Sequence, residues 1–144
     1  MEKLRFDNGI KSYRLGNCGV LRFNPGDPNL YARLMEAQQK LQRIEKELAA
    51  QAAGAAEDSS AAIGLLQQAD KQVKQLLNWV FGGDNDFEQI LEGVNLLAVT
   101  ENGQRVMDNL MEALEPVLTR GAEQCAREKT DAALAQAKAR REAL

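Results

Sequence analysis

The chain has 144 residues, a formal net charge of −3, 44% hydrophobic residues and only 5% aromatic residues. This length is typical of one domain with a real core, which here must be built from aliphatic side chains and alanine, as between packed helices. The acidic balance argues against nucleic-acid binding, which needs a clustered excess of Lys and Arg.

The sequence contains no histidine, and its two cysteines, Cys18 and Cys125, are far apart. Histidine is the commonest general base and transition-metal ligand, and two lone thiols do not make a zinc site. We therefore predict a protein that is not an enzyme and that uses no metal or cofactor. Reduced cysteines are favoured, although a disulfide between them stays open. The N-terminus lacks a signal-peptide pattern and no apolar run approaches about 20 residues, which predicts a cytoplasmic protein without membrane spans.

Residues 1–24 are predicted to form a small β unit, a hairpin or meander of two or three strands. Apolar residues recur there with the two-residue step of strands that bury one face. These pairs are Leu4/Phe6, Tyr13/Leu15 and Leu21/Phe23.

A long first helix is predicted to follow Asp27, a good N-cap, with Pro28 at the first helical position. Its apolar residues step four and three along the chain, which is the spacing of a coiled-coil seam. The seam consists of Leu30, Leu34, Ala37, Leu41, Ile44 and Leu48.

A hinge is predicted within 49–60, before a second helix that ends at Gly82–Gly83. The apolar side of this helix holds Ile63, Leu66, Val73, Leu76, Leu77, Val80 and Phe81. Asp84 is predicted to cap a short third helix that Gly93 ends. Capping also explains Asp84 and Asp86 better than a metal or acid pair does.

The last helix is predicted to start at Thr100 or Asn102 and to be kinked or broken near Pro116. Its buried residues are predicted to be Val106, Met107, Leu110, Met111, Leu114, Val117 and Leu118. Because the stripe fades after Gly121, we predict a mainly helical domain over 1–121 and a polar, Ala-rich tail over 122–144. The tail is either a frayed helix or a segment that waits for a partner, and its mixed charges favour a solvated helix over a nucleic-acid arm.

The chain therefore has more apolar helix surface than one small core needs, which favours association with a partner. The residues predicted to contact a partner are Leu41, Ile44, Leu48, Leu110, Leu114 and Leu118. Each can equally be a core residue. Trp79, the only tryptophan, is either a core anchor or a binding hot spot.

The order of these features resembles the tail assembly chaperones of long-tailed bacteriophages and their prophage relatives. The resemblance covers roughly Arg5 to Gln124. It is carried by Phe23-Asn24-Pro25-Gly26-Asp27-Pro28-Asn29 before the charged helix from Leu30 to Leu48, by Trp79-Val80-Phe81-Gly82-Gly83-Asp84, by Phe87, by Asn95-Leu96-Leu97 and by the final helix through Leu110 and Leu118.

The resemblance implies a non-catalytic chaperone, encoded ahead of the tape measure protein, that binds this long helical protein in the cytoplasm of the bacterial host. It also implies prevention of client aggregation, recruitment of tail tube protein and absence from the mature virion. Two alternatives stay open. One is a structural or oligomeric coiled-coil-like phage component or adaptor, including a homo-oligomer, and the other, less favoured, is a small DNA-binding regulator.

Overall fold

The structure is a computed structural model that describes residues 1–55 and 57–143, with every side chain in these ranges except those of residues 128–130. Two strands precede four helices in this part of the chain. The elements are β1 (Lys11–Arg14), β2 (Val20–Phe23), α1 (Pro28–Gly54), α2 (Ser59–Phe81), α3 (Phe87–Ile90) and α4 (Val106–Ala143). The prediction of a mainly helical protein with an N-terminal hairpin is confirmed, and the first and last helices are the longest, with 27 and 38 residues.

The N-terminal β unit is a two-stranded antiparallel hairpin in which Tyr13 lies opposite Leu21. The segment around Leu4 and Phe6 forms no strand, and both side chains are exposed. Between this segment and β1, the side chains of Asp7 and Asn8 accept hydrogen bonds from the backbone N–H groups of Gly9 and Ile10. Such side-chain turns compete with strand pairing.

Aspartate caps start the first three helices. Asp27 accepts a hydrogen bond from the backbone of Asn29, as predicted, and Asp58 caps α2 inside the predicted hinge. The prediction that Asp84 caps the third helix is wrong, because Asp86 accepts the bond from the Glu88 N–H. Asp84 instead lies in the turn that follows α2.

The last helix begins at Val106, later than either predicted start. Residues 100–104 form a tight turn first, in which the N–H of Thr100 donates to the carbonyl of Gln104 at 2.8 Å. Gly103 has a φ of 82°, which glycine adopts readily and which a helix does not contain. This turn uses the polar groups that could have capped an earlier helix.

The core lies where the hairpin meets the helices. Phe23 of β2, Phe81 of α2 and Phe87 of α3 are buried in a row, with ring centroids 5.0 Å and 5.6 Å apart along it. Tyr13 stacks on the outer side of Phe23 at 5.0 Å. Offset and edge-on ring contacts of this kind add to the hydrophobic contribution of the buried area.

The apolar side of α2 is buried only in its second half. Val73, Leu77 and Val80 are in the core, whereas Ile63 is 65% exposed and Leu66 is 42% exposed. Ile63 and Leu66 were predicted to lie on the apolar side of α2, and in this chain by itself the first half of that side is exposed. The reason is that the first half of α2 packs along the end of α1, beyond the reach of the hairpin and α3.

Helix α4 continues without interruption through Pro116, which is exposed, and past Gly121 to Ala143. Side chains from 131 to 143 are all exposed.

In the described part of the chain no helix is long and apolar enough to cross a bilayer. Both cysteines, Cys18 and Cys125, are partly buried free thiols.

Candidate functional site

An open groove runs along the junction of α1 and α4, and its apolar lining adjoins the core. The two helices lie antiparallel, because Arg105 pairs with Glu45 at 3.2 Å at one end, while Gly121 lies against Pro25 and Tyr31 at the other. The groove has a volume of about 790 Å³ and is lined by Tyr31, Leu34, Met35, Gln38, Gln104, Asp108, Met111, Glu112, Glu115, Leu118, Thr119 and Ala122. This volume lies within the range of about 300–1,000 Å³ that is usual for binding pockets.

Glycine at position 121 allows the close approach of the two helices at one end of the groove. A Cβ atom there would overlap the carbonyl oxygen of Pro25 and the hydroxyl oxygen of Tyr31. That hydroxyl donates a hydrogen bond to the same carbonyl, so neither group can easily move away. Gly121 therefore fixes where α4 crosses the start of α1.

The floor of the groove is apolar and includes two methionines. Leu34 and Leu118 form its deeper part, and Met35 and Met111 lie beside them. Met35 is 71% exposed, so an apolar side chain of the groove is accessible to a partner. Methionine side chains have three rotatable bonds and adapt to different partners, which is why they are common on promiscuous binding surfaces.

The charged residues that line the groove are all acidic. Asp108, Glu112 and Glu115 lie along the α4 wall at steps of four and three residues, on one face of the helix. The hydrogen bonds and charge of Arg105, 3.2 Å away, hold the pKa of the Asp108 carboxyl below its usual value. Glu112 accepts a hydrogen bond from the neutral side-chain amide of Gln104 at 3.2 Å. The α1 wall carries no charged lining residue.

The structure brings only one of the predicted contact residues into this groove. Leu118 lines it, whereas Leu110 and Leu114 are buried on the core side of α4. Leu41, Ile44 and Leu48 are half-buried against the core or toward α2. The partner-binding role of these six residues stays a prediction.

Trp79 lies on a separate surface between α1 and α2 and is 40% exposed. The ammonium group of Lys40 stands 4.4 Å from its ring centroid. At a partly exposed site such a cation–π contact contributes about 0.5–1 kcal/mol. Trp79 is thus not a fully buried core anchor, and one face of its ring is already in contact with Lys40.

A second apolar recess of about 520 Å³ lies between the start of α2 and the segment from Gly93 to Ala98. Ile63, Leu66 and Leu97 line it, together with polar and charged side chains of both signs. It is smaller than the groove between α1 and α4, and its mixed charges indicate no preference for a partner of one sign. Among the residues that the structure describes, no group of three or more His, Cys, Asp or Glu side chains is placed to hold a metal ion.

Met35 is a groove residue that the sequence did not single out. It directly follows the seam residue Leu34 but lies outside the seam, among the polar residues of α1. A lone large apolar residue on a polar helix face was the available signal.

Comparisons of the chain with protein-family models, with curated proteins and with solved structures gave no match.

Proposed function

We propose that this protein is a non-catalytic tail assembly chaperone of a long-tailed phage or prophage, which binds the tape measure protein through the groove between α1 and α4. The observation that carries the proposal is the open groove, with Met35 and Met111 on its floor and Met35 largely exposed. The order of sequence features resembles that family, and the groove offers a surface on which a helical client can bind.

The physical basis is coverage of apolar helix stripes. A tape measure protein is very long and largely helical, and its stripes aggregate when they are left exposed. A groove between two helices can accept such a stripe as the third helix of a small bundle. Many copies bound along one client gain through multivalency, so each contact can be weak enough for later release.

On this proposal the protein acts in the cytoplasm of the bacterial host. It keeps the tape measure protein from aggregating, helps to recruit tail tube protein and is absent from the mature virion. Its work is binding and release, with no chemical step.

Co-expression with the long helical protein encoded by the neighbouring gene tests the proposal. A tagged chaperone should retain this client on an affinity column and keep it in the soluble fraction. Met35→Glu, which places a charge on the groove floor, should abolish both effects. Val99→Glu is the matched control, because Val99 is 72% exposed and lies outside the groove. A client that is equally soluble alone and is never retained would refute the proposal.

A structural or oligomeric coiled-coil-like role is the second candidate, and a different observation favours it. The end of α4 is exposed from 131 to 143, and Leu134 within it is 63% exposed. A helix that outruns its own core can pair with copies of itself. Sedimentation should then show a stable homo-oligomer of defined size, whereas a monomer at micromolar concentration would count against this candidate.

A further inference from the structure

The groove between α1 and α4 selects its occupant by charge as well as by apolar contact. We propose that it binds an amphipathic helix with aliphatic residues along one stripe and with Lys or Arg along one flank only. This inference rests on the proposed function, since it names the chemistry of the client segment, but it follows from the residues of the groove and can be tested without the client.

The length of the groove sets the number of anchor residues. The α1 wall extends from Tyr31 to Gln38, about 10 Å at the rise of an α-helix, and the α4 wall extends from Asp108 to Ala122, about 21 Å. Both walls therefore enclose an occupant for about two turns. Two turns of a helix present apolar residues at positions i, i+3 or i+4, and i+7 to one side, so three anchors fit on the apolar floor.

The acidic residues of the groove determine which charge the occupant should carry on the flank that faces α4. Asp108 is already paired with Arg105, but Glu112 and Glu115 form no ion pair with any described residue. Both are exposed and stand three residues apart on the α4 wall. Lys or Arg on the flank that faces α4 would meet two uncompensated carboxylates, whereas Glu there would be repelled. The α1 wall presents the neutral polar groups of Gln38 and Tyr31. The flank of the occupant that faces α1 therefore needs no particular charge.

A second copy of this chain supplies a poorer occupant. The exposed end of α4 over 131–143 carries Lys138, Arg140 and Arg141, but also Asp131 and Glu142. Its only large aliphatic side chain is Leu134, so it lacks the three anchors that the floor accepts. We therefore assign the groove to a separate basic helix and treat self-association as an outcome of the test.

Two synthetic helical peptides with identical Leu stripes test the assignment, one with Lys and one with Glu along a single flank. Fluorescence anisotropy of the labelled peptides gives the dissociation constants with the full-length protein. The Lys peptide should bind about tenfold more tightly than the Glu peptide at low salt, and added salt should reduce this ratio. Glu112→Lys/Glu115→Lys should invert the preference.

The matched control is Glu57→Lys/Glu101→Lys, which makes the same change in net charge at exposed positions outside the groove. It should leave the preference for the Lys peptide unchanged. Equal binding of the two peptides, an unaltered preference in the groove variant, or a stable homodimer that excludes both peptides would each overturn the inference. Loss of client capture with intact peptide selectivity would instead refute the proposed function alone, and client capture without peptide selectivity would refute this inference alone.

Discussion

The ammonium nitrogen of Lys74 lies 2.9 Å from Oδ2 of Asp70, one turn earlier in α2, and both side chains are buried. The other Asp70 oxygen accepts a hydrogen bond from the backbone N–H of Leu96 at 2.8 Å. Lys74 also donates to Glu88 of α3 at 2.7 Å. This charged group thus joins α2, α3 and the segment that leads to α4, and its loss would leave the Asp70 carboxylate buried without a counter-charge.

Lys74→Met should lower the free energy of unfolding by about 3–5 kcal/mol, which is typical when one member of a buried ion pair is removed. Urea denaturation followed by circular dichroism measures the change. Lys71→Met is the matched control, because Lys71 is exposed on the same helix and should change stability little. The double variant Asp70→Asn/Lys74→Met should recover part of the loss, since no buried charge is then left unpaired and Glu88 is exposed to solvent. A double variant less stable than the single one would contradict this account.

The same group predicts how stability responds to alkaline pH. Burial by itself lowers the pKa of Lys74, but hydrogen bonds to Glu88 and Asp70 and their negative charges outweigh it, so the pKa is raised above its usual value of 10.5. A raised pKa in the folded state means that Lys74 contributes its full stabilisation below pH 10.5 and loses it as the pH rises through the folded-state value. The difference in unfolding free energy between the wild type and Lys74→Met should therefore be constant from neutral pH to about pH 10 and shrink above it.

Asn85 gives a third prediction, because it covers the outer edge of β2. Its Oδ1 accepts from the backbone N–H of Arg22 at 3.0 Å and its Nδ2 donates to the Arg22 carbonyl at 2.6 Å, as a neighbouring strand would. Asn85→Ala removes these two bonds and a third, from Nδ2 to the Gly82 carbonyl at 2.9 Å, and should destabilise the protein by about 1–3 kcal/mol. Asn85→Asp keeps the acceptor but sets a carboxylate oxygen against the carbonyl oxygens of Arg22 and Gly82, so it should be at least as destabilising as Asn85→Ala. Unfolding free energies measure the series, and the exchange rate of the Arg22 amide hydrogen should rise in the alanine variant.

Much of the fold could be predicted because its signals are local. Asp27 and Pro28 mark the start of α1, and the four-three spacing from Leu30 to Leu48 marks its course. The late start of α4 could not be read in the same way. Thr100 and Asn102 are equally good as helix caps and as turn residues, and the bridge between Val99 and Arg105 settles the choice in favour of the turn.

The groove was beyond local reasoning because it arises from the pairing of two helices that are separated in the chain by residues 55–105. The sequence indicates that α1 and α4 each have an apolar stripe, but not how they are rotated against each other. That rotation buries Leu110 and Leu114 and leaves Met35 exposed. Lys74 was missed for a related reason, since a lysine on an amphipathic helix is normally solvated and its burial here depends on Asp70 and Glu88.

Two glycines in long helices provide the last prediction, because they should respond to the same substitution with opposite signs. Alanine is favoured over glycine within a helix by about 0.8–1.0 kcal/mol. At Gly64 of α2 an added Cβ would have open space, so Gly64→Ala should stabilise the protein by about this amount.

At Gly121 of α4 the added Cβ would collide with the Pro25 carbonyl and the Tyr31 hydroxyl. Gly121→Ala should therefore destabilise the protein by about 1–3 kcal/mol despite the gain in helix propensity, because α4 must move away from the start of α1. Denaturant midpoints at constant slope measure both effects. Since Gly121 closes one end of the groove, its alanine variant should also weaken binding of the Lys peptide, whereas Gly64→Ala should not. Stabilisation by both substitutions would show that α4 does not cross α1 at Gly121.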